Sequence, residues 1–331
     1  MLSGRGRSGL AYDGGMAASA VPPARARALV VLLGACWGLN WIAVRIALDE
    51  IAPWTLRCIG MGLGTAVLLA WAAAGGRSLR IAAPRDRLRL GLAGLLNVAA
   101  FGVFTAFAQL AGSTSRVTLV TYTMPIWSVV LARIALGERL DATRSVAVAL
   151  AVAGLAVLVG PLAAEGANAG TGWALLAALA WAAGTVYLKA ARIPGDPVAI
   201  AAWQLAAGFV AVALGALLAE GGALAWPREA ATAWAVAYHV LLGMALPYLL
   251  WFSIVARLPA ATAALGTLLV PVVAVVGAMA VLGERPSAVD AVGFVLILAA
   301  AAAVLLRPTP APAPAPAPAA SPSSPPKETF R

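Results

Sequence analysis

Two ionisable side chains lie within apolar stretches of the sequence, where they could bind a charged solute. Arg57 lies in one such stretch, and His239, the only histidine, lies in another. Burying an arginine in a bilayer costs about 2.5–3.5 kcal/mol on insertion scales, so Arg57 is expected to face protein or a wet cavity rather than lipid. A cavity lined by a cation favours anions, and His239 could bind the solute or carry a proton. Packing or hydrogen bonding inside the protein is the alternative role for both residues.

Asn40 lies between two tryptophans in a third apolar stretch. Trp37 and Trp41 are one helical turn apart, so their indoles share a helix face, with the amide of Asn40 beside them. Aromatic walls with one amide suit a small amphipathic solute. Similar candidate binding residues occur in two further stretches, at Tyr122, Thr123, Trp181 and Tyr187. Helix packing through hydroxyl groups explains the threonines equally well.

The sequence lacks the residue patterns that catalysis or metal binding requires. A single histidine excludes a two-histidine metal motif, and the chain contains no Gly-x-Ser-x-Gly and no phosphate-binding Gly-x-x-x-x-Gly-Lys-Ser/Thr. No aspartate or glutamate lies near the middle of an apolar stretch, so an acid or base for catalysis is missing. We therefore expect no enzyme activity, no metal and no cofactor.

The elements that must position the candidate residues are membrane-spanning helices. The chain has 331 residues, of which 62% are hydrophobic and 11% charged, and this composition is far too apolar for a soluble protein. A bilayer core about 30 Å thick requires about 20 apolar residues per helix. Ten stretches qualify, and we predict an all-α integral membrane protein. They cover approximately residues 28–47, 51–73, 89–110, 115–136, 142–160, 171–190, 196–219, 232–255, 260–281 and 287–306.

The basic residues predict how these helices are oriented. Seventeen of the 23 lysines and arginines fall on one side of the predicted membrane and three on the other. Because short cytoplasmic loops carry the excess of positive charge, we predict that both termini lie in the cytoplasm. Trp54, Trp173 and Trp226 lie at span boundaries, as is typical of interfacial anchors.

The remaining sequence features concern partners and termini. The net charge of +10 is scattered over short loops, without the basic patch and interleaved aromatics of a nucleic-acid site, so no nucleic-acid partner is expected. The expected partners are the lipid bilayer and a small-molecule substrate, and the protein is expected to be a monomer or homodimer. Residues 1–27 and the Pro/Ala-rich residues 307–331 are predicted to be disordered cytoplasmic segments.

The two halves of the chain repeat the same motifs. Pro125 precedes Glu138 by thirteen residues, and Pro271 precedes Glu284 by the same number, with an offset of 146 between the copies. A second motif recurs with an offset of 144, namely Trp37 with Arg45 and Trp181 with Lys189. Five spans per copy place the second copy upside down relative to the first. Inverted repeats can expose a shared site to one side of the membrane and then to the other.

The prolines and glutamates of the repeat have expected roles of their own. A proline in mid-helix removes a backbone hydrogen bond, so Pro125 and Pro271 are predicted to act as hinges, with a static kink as the alternative. Glu138 and Glu284 follow helix C-terminal ends, where a carboxylate gains nothing from the helix dipole. Each is expected to lock a turn, either by accepting N–H groups of the next helix or by pairing with the adjacent arginine.

These motifs resemble those of the EamA-type transporters in the drug/metabolite transporter superfamily. The matching residues are Ala35-Cys36-Trp37-Gly38-Leu39-Asn40-Trp41 with Arg45, Leu56-Arg57, Ala180-Trp181, and the two motifs that run from Pro125 and Pro271 to Leu-Gly-Glu-Arg. The resemblance implies ten spans in two inverted five-helix repeats, here residues 28–160 and 171–306. It also implies a site formed by the first, third, fourth, sixth, eighth and ninth spans.

The resemblance carries an expectation of function as well. Members of this family carry small metabolites or amino acids across the inner membrane, mostly outward. We therefore expect a secondary transporter that exports a small polar metabolite, such as an amino acid or an organic anion, by alternating access, with proton coupling as an option. A channel or a non-transporting membrane scaffold is the alternative, and a membrane enzyme is much less favoured.

Overall fold

The computed structural model describes residues 23–137, 141–165, 169–222, 226–247, 250 and 260–305. Regular secondary structure within these residues is entirely helical. Numbered α1 to α10 in chain order, the helices are Pro23–Ala47, Pro53–Ala74, Pro84–Ala111, Thr114–Leu136, Ala142–Glu165, Ala169–Ala191, Pro197–Glu220, Ala230–Ala245, Ala260–Val281 and Ala288–Leu305.

Five of the described helices, α2, α3, α4, α6 and α7, are long and apolar enough to cross a membrane. The other five have shorter apolar stretches within the described residues. Large aliphatic side chains cover much of the surface; Leu218, for example, is 82% exposed and Val295 is 66% exposed. Exposed aliphatic faces of this kind are expected where helices contact lipid rather than water.

Several helices begin at a proline, which determines where the first turn lies. Proline at the first helical position loses no hydrogen bond, and its fixed φ angle suits the helix. α1 begins at Pro23, so residues 23–27, predicted to be disordered, form its first turn instead. α3 begins at Pro84, ahead of the predicted start of that span at residue 89. The predicted disorder of residues 1–22 and 307–331 lies outside the described residues.

The helices pack in pairs that follow a simple exchange rule. α1 packs against α8 and α9, and α6 packs against α3 and α4. α2 packs against α7, and α5 packs against α10. The counterpart of each helix in the first half is the helix five places later, so that α1 corresponds to α6 and α5 to α10. When every helix is exchanged with its counterpart, each of these packed pairs maps onto another of them or onto itself.

Unusual backbone conformations recur at the same spacing as the sequence motifs. α3 contains a π-helical segment at Leu95–Ala100, and α8 contains one at His239–Ala245, so the two start 144 residues apart. Gly137 after α4 and Gly283 after α9 both have left-handed φ angles, 69° and 68°. Glycine adopts this conformation without the Cβ clash of other residues. π-helical segments are rare, and they often lie at functional sites.

The two prolines predicted to be hinges occupy different helical environments. α4 is interrupted by a turn at Tyr122 and Thr123, and Pro125 lies in the first turn of the helical segment that follows. Pro271 is buried inside α9, which continues without interruption on both sides of it. The helix is therefore interrupted next to Pro125 and continuous at Pro271. The hinge role of both residues stays a prediction.

The backbones of α3 and α7 approach each other closely at Gly94. A Cβ atom at Gly94 would lie 2.4 Å from the carbonyl oxygen of Gln204 and 3.0 Å from its Cα. Because both atoms belong to the backbone of α7, they cannot rotate away. Gly94→Ala is therefore expected to lower the free energy of unfolding by about 1–3 kcal/mol, which thermal unfolding in detergent measures. Gly91→Ala is the control, because nothing lies within 4 Å of its added Cβ; equal midpoints for the two variants would contradict the prediction.

Candidate functional site

Four of the predicted site residues lie in one apolar cluster formed by α1, α3, α4, α6, α9 and α10. Trp41 and Tyr122 are among its buried members, and Trp37 and Trp181 are partly buried against it. Phe101, Trp127 and Trp173 also pack there. We call Trp37, Trp41, Phe101, Tyr122, Trp127, Trp173 and Trp181 the aromatic cluster. Such a set of rings can contact the apolar part of a small solute.

Trp173 joins the aromatic cluster to two further aromatic rings. Its ring centroid lies 5.5 Å from that of Phe104 and 5.4 Å from that of Phe107. The sequence had indicated Trp173 as an interfacial anchor like Trp226, but the two residues differ: Trp226 is 72% exposed, whereas Trp173 is partly buried among aromatic side chains. Trp173 therefore extends the apolar wall of the candidate site.

His239, which is buried, and Asn40, which is partly buried, form a polar contact beside this cluster. Nδ1 of His239 lies 2.8 Å from Oδ1 of Asn40. Because an amide oxygen only accepts, Nδ1 donates, and Nε2 of the neutral ring is then an acceptor. Nε2 is buried and has no hydrogen-bond partner among the described residues. The ring lies against α2 at Gly60, where a Cβ atom would be 2.3 Å from Nε2.

Two close contacts between an asparagine and a glycine join the halves of the chain. A Cβ atom at Gly243, in the π-helical segment of α8, would lie 2.0 Å from Oδ1 of Asn40. A Cβ atom at Gly184 of α6 would lie 2.2 Å from Oδ1 of Asn97, in the π-helical segment of α3. When α1 is exchanged with α6 and α8 with α3, one contact maps onto the other. The asparagine of one contact then occupies the position of the glycine in the other. Asn97, which sequence reasoning missed, donates through Nδ2 to Oε1 of Gln204 at 3.1 Å.

Arg57 is buried and bonded only to neutral groups in the part of the chain that the structure describes. Its Nε donates to the carbonyl oxygen of Gly102 at 2.7 Å, and its Nη2 donates to the hydroxyl of Thr105 at 3.0 Å. No carboxylate of a described residue pairs with it. Arg57 lies one helical turn from Gly60, the residue that contacts His239. Its positive charge is therefore uncompensated among these residues and lies close to the His239–Asn40 contact.

Two other predicted binding residues are placed less favourably. Thr123 is buried, but its hydroxyl already donates to the carbonyl oxygen of Val120 at 2.6 Å and accepts from Nε1 of Trp127 at 3.0 Å. Tyr187 is partly buried near the end of α6 and lies outside the aromatic cluster. The structure therefore brings neither residue's polar group to the His239–Asn40 contact.

Glu284 binds a helix N-terminus in the other half of the chain. Its carboxylate accepts from the backbone N–H groups of Thr114 at 2.6 Å and Ser115 at 2.9 Å, at the start of α4. The sequence had indicated the next helix or Arg285 as its partner, so the donors are N–H groups as expected but come from a distant helix. Glu138, its counterpart in the repeat, lies outside the described residues.

Gln109 is a buried polar residue that sequence reasoning missed. Its Nε2 donates to the carbonyl oxygen of Trp41 at 2.8 Å and to the hydroxyl of Thr114 at 3.4 Å. Its Oε1 is buried without a hydrogen-bond partner among the described residues. The signal that could have found it is the one that marked Asn40, an amide within an otherwise apolar stretch.

Comparison with known proteins identifies one family. Residues 25–160 and residues 168–306 each match the EamA-like transporter family. The chain is similar to the "Probable terminal-alkyne amino-acid exporter" of Streptantibioticus cattleyicolor, with 31% identity over 82% of this chain and 90% of the relative. It is also similar to the "Probable amino-acid metabolite efflux pump" of Salmonella typhimurium, with 27% identity over 82% of this chain and 91% of the relative.

A further relative and a solved structure extend the comparison. The "Uncharacterized transporter YoaV" of Bacillus subtilis is 23% identical over 72% of this chain and 82% of its own length. A crystal structure that is described only as that of a protein aligns with a TM-score of 0.59 and 23% identity, over 86% of this chain and 97% of the other. At that level of identity the match supports the fold alone.

Proposed function

Since the chain belongs to the EamA-like transporter family, we propose that it is a secondary transporter that exports an amino-acid-type metabolite across the inner membrane by alternating access. Members of this family are integral membrane proteins. The substrate class is supported by two relatives, whose names describe an amino-acid exporter and an amino-acid metabolite efflux pump.

The transport mechanism is supported by features that recur in the two halves. The family matches the chain twice, helix pairs map onto one another on exchange, and the two π-helical segments begin 144 residues apart. These features favour ten membrane spans in two inverted five-helix repeats, an arrangement that allows alternating access. The excess of basic residues on one side favours cytoplasmic termini.

The observation that carries the proposal is a buried positive charge without a carboxylate partner among the described residues, together with an unfilled acceptor on His239 that is linked through Asn40 to the aromatic cluster. An amino acid presents a carboxylate, an ammonium group and a side chain. Arg57 offers a positive charge, Nε2 of His239 offers an acceptor, and the aromatic cluster offers an apolar wall. Asn40 connects His239 with the aromatic cluster, because it contacts His239 and lies between Trp37 and Trp41 on α1. Each part of the solute therefore has a matching group.

Two substitutions of His239 test its role as an acceptor. In His239→Asn, the amide nitrogen can replace Nδ1 and keep the contact with Asn40, but the acceptor at the Nε2 position is lost. In His239→Gln, an amide oxygen can lie near the Nε2 position. We expect His239→Asn to raise KM about tenfold for the transported amino acid, as the loss of one buried hydrogen bond predicts, and His239→Gln to raise it less.

The measurement is counterflow in proteoliposomes that contain the full-length protein, with a panel of amino acids, organic acids and amines, with and without a pH gradient. Saturable uptake that is accelerated by substrate on the opposite side identifies a carrier, whereas uptake without saturation or acceleration identifies a channel. Equal KM values for the two His239 variants would exclude the acceptor role. Proton-driven uptake by His239→Gln would show that another group carries the proton.

A further inference from the structure

Two helix N-termini at one end of the molecule are bound by carboxylates from distant parts of the chain. At the start of α2, Glu220 accepts from the N–H groups of Trp54 at 2.9 Å and Thr55 at 2.8 Å, and from the hydroxyl of Thr55 at 2.7 Å. At the start of α4, Glu284 accepts from two N–H groups as described above. Both carboxylates occupy the positive end of a helix dipole, where charge-assisted hydrogen bonds are strong.

A carboxylate from the other half of the chain also binds the two residues that precede α8. Glu50, between α1 and α2, accepts from the N–H groups of Arg228 at 2.7 Å and Glu229 at 3.1 Å, and from the hydroxyl of Thr232 at 2.5 Å. The hydroxyl of Thr232 and the N–H of Arg228 lower the pKa of the Glu50 carboxyl from its ordinary value. The carboxylate is therefore charged at neutral pH.

These contacts replace the local caps that helices ordinarily have. The N-cap residues of α2, α4 and α8 are Ala52, Ser113 and Glu229, and none of them makes a side-chain capping hydrogen bond. α7 begins at the opposite end of the molecule and is capped locally by Asp196, which accepts from the N–H of Val198 at 2.8 Å. The N–H groups in the first turns of α2 and α4 thus depend on a carboxylate in the other half of the chain, and the two residues that precede α8 depend on Glu50 in the same way.

A salt bridge joins the halves at the same end. Asp290 of α10 accepts from Nε of Arg116 at 3.0 Å and from Nη2 at 2.6 Å, and both side chains are partly buried. At the opposite end, the salt bridge between the halves in the described residues joins Arg77 and Asp196 over 3.4 Å, with both side chains more exposed. Of these two salt bridges, the shorter and better-buried one therefore lies at the end where α2, α4 and α8 begin.

We propose that Glu50, Glu220, Glu284 and Asp290 form a latch that holds this end of the molecule closed, and that these four contacts must break when the transport path opens to that side. The inference rests on the proposed alternating-access mechanism, in which the two halves separate at one end while they close at the other. Every latch contact crosses between the halves, so none survives such a separation. With the orientation predicted from the basic residues, the latch faces the outside.

The test measures access to the two ends by thiol labelling, without any substrate. Cys36 and Cys58 are replaced by alanine, and a reporter is introduced as Ser115→Cys at the latch or as Ala199→Cys at the opposite end; both positions are buried. In Glu284→Gln, the amide has one acceptor oxygen and no charge for the two N–H groups. We expect labelling of the Ser115→Cys reporter by an impermeant maleimide to become about tenfold faster, as the loss of a charge-assisted hydrogen bond predicts. Labelling of the Ala199→Cys reporter, at the opposite end, is expected to become slower.

The matched control is Glu229→Gln, which removes an exposed carboxylate at the same end that makes no capping hydrogen bond. It is expected to leave both labelling rates unchanged. Glu50→Gln tests the same prediction at the most exposed contact, where the substitution least endangers folding. Faster labelling at both ends would mean general loosening, and unchanged labelling would mean a static cap; either result overturns the latch. Because no substrate is used, a wrong substrate class would leave this result intact.

Discussion

Replacing Gly243 with alanine is expected to reduce transport at least about tenfold while the protein still folds. The new Cβ would lie 2.0 Å from Oδ1 of Asn40 and 2.5 Å from its Cγ. Both atoms belong to a side chain that can rotate, so Asn40 moves away rather than the helix backbone. That movement breaks the hydrogen bond to Nδ1 of His239 and leaves the imidazole without the partner that fixes its tautomer. Initial uptake rates in proteoliposomes measure the effect.

A second substitution isolates the cause of this loss. If the clash with Asn40 is responsible, Gly243→Ala will have little further effect in a protein that already carries Asn40→Ala, because the space is then free. Gly91→Ala serves as the control for the gain of a helical methyl group, since nothing lies within 4 Å of it. It is expected to retain transport and to gain about 0.5–1 kcal/mol of stability. An equal loss with and without Asn40 would assign Gly243 another role.

Replacing Arg57 with glutamine is expected to weaken transport of carboxylate substrates without lowering thermal stability. The guanidinium is buried, hydrogen-bonded to a carbonyl and a hydroxyl, and pairs with no carboxylate of a described residue. A buried charge without a counter-ion is costly to the folded state, so a neutral side chain relieves that cost. A substrate carboxylate that binds the guanidinium loses its partner in the variant, and we expect KM to rise about tenfold or more.

Two further variants separate charge from packing. Arg57→Lys retains the positive charge and is expected to retain more of the affinity for carboxylates than Arg57→Gln. Arg116→Gln removes an arginine that does have a carboxylate partner, Asp290, and is expected to lower the midpoint of thermal unfolding. If Arg57→Gln lowered the midpoint and left KM unchanged, Arg57 would be a packing residue and not part of the binding site.

The sequence predicted the features that depend on composition and on short-range spacing. The apolar composition predicts membrane helices because the cost of burying polar backbone in lipid leaves few alternatives. Trp37 and Trp41 share a helix face because of helical periodicity, and the structure places both in the aromatic cluster. The pairing of His239 with Asn40 was not predicted, although both residues were singled out, because no pattern links positions on two different helices. Their role in binding substrate stays a prediction.

The partners of the three latch glutamates could not be predicted, for a physical reason. The partners of Glu50, Glu220 and Glu284 are mostly backbone N–H groups, and nearly every residue has one. A carboxylate that binds backbone therefore leaves no complementary side chain in the sequence. Glu284 was recognised only because its motif recurs, and even then its donors were expected on the following helix rather than on α4. Only the folded arrangement brings these partners together.

The two π-helical segments have a consequence for how α3 and α8 meet their neighbours. A π turn contains about one residue more than an α turn, and each residue turns the helix by about 100°. The side chains before and after such a segment therefore point in directions that an uninterrupted α-helix would not give them. A search for a single hydrophobic stripe with α-helical periodicity along either helix will therefore lose its register at Leu95–Ala100 and His239–Ala245, and deletion of one residue there would convert the π turn into an α turn while the side chains on both sides keep their partners.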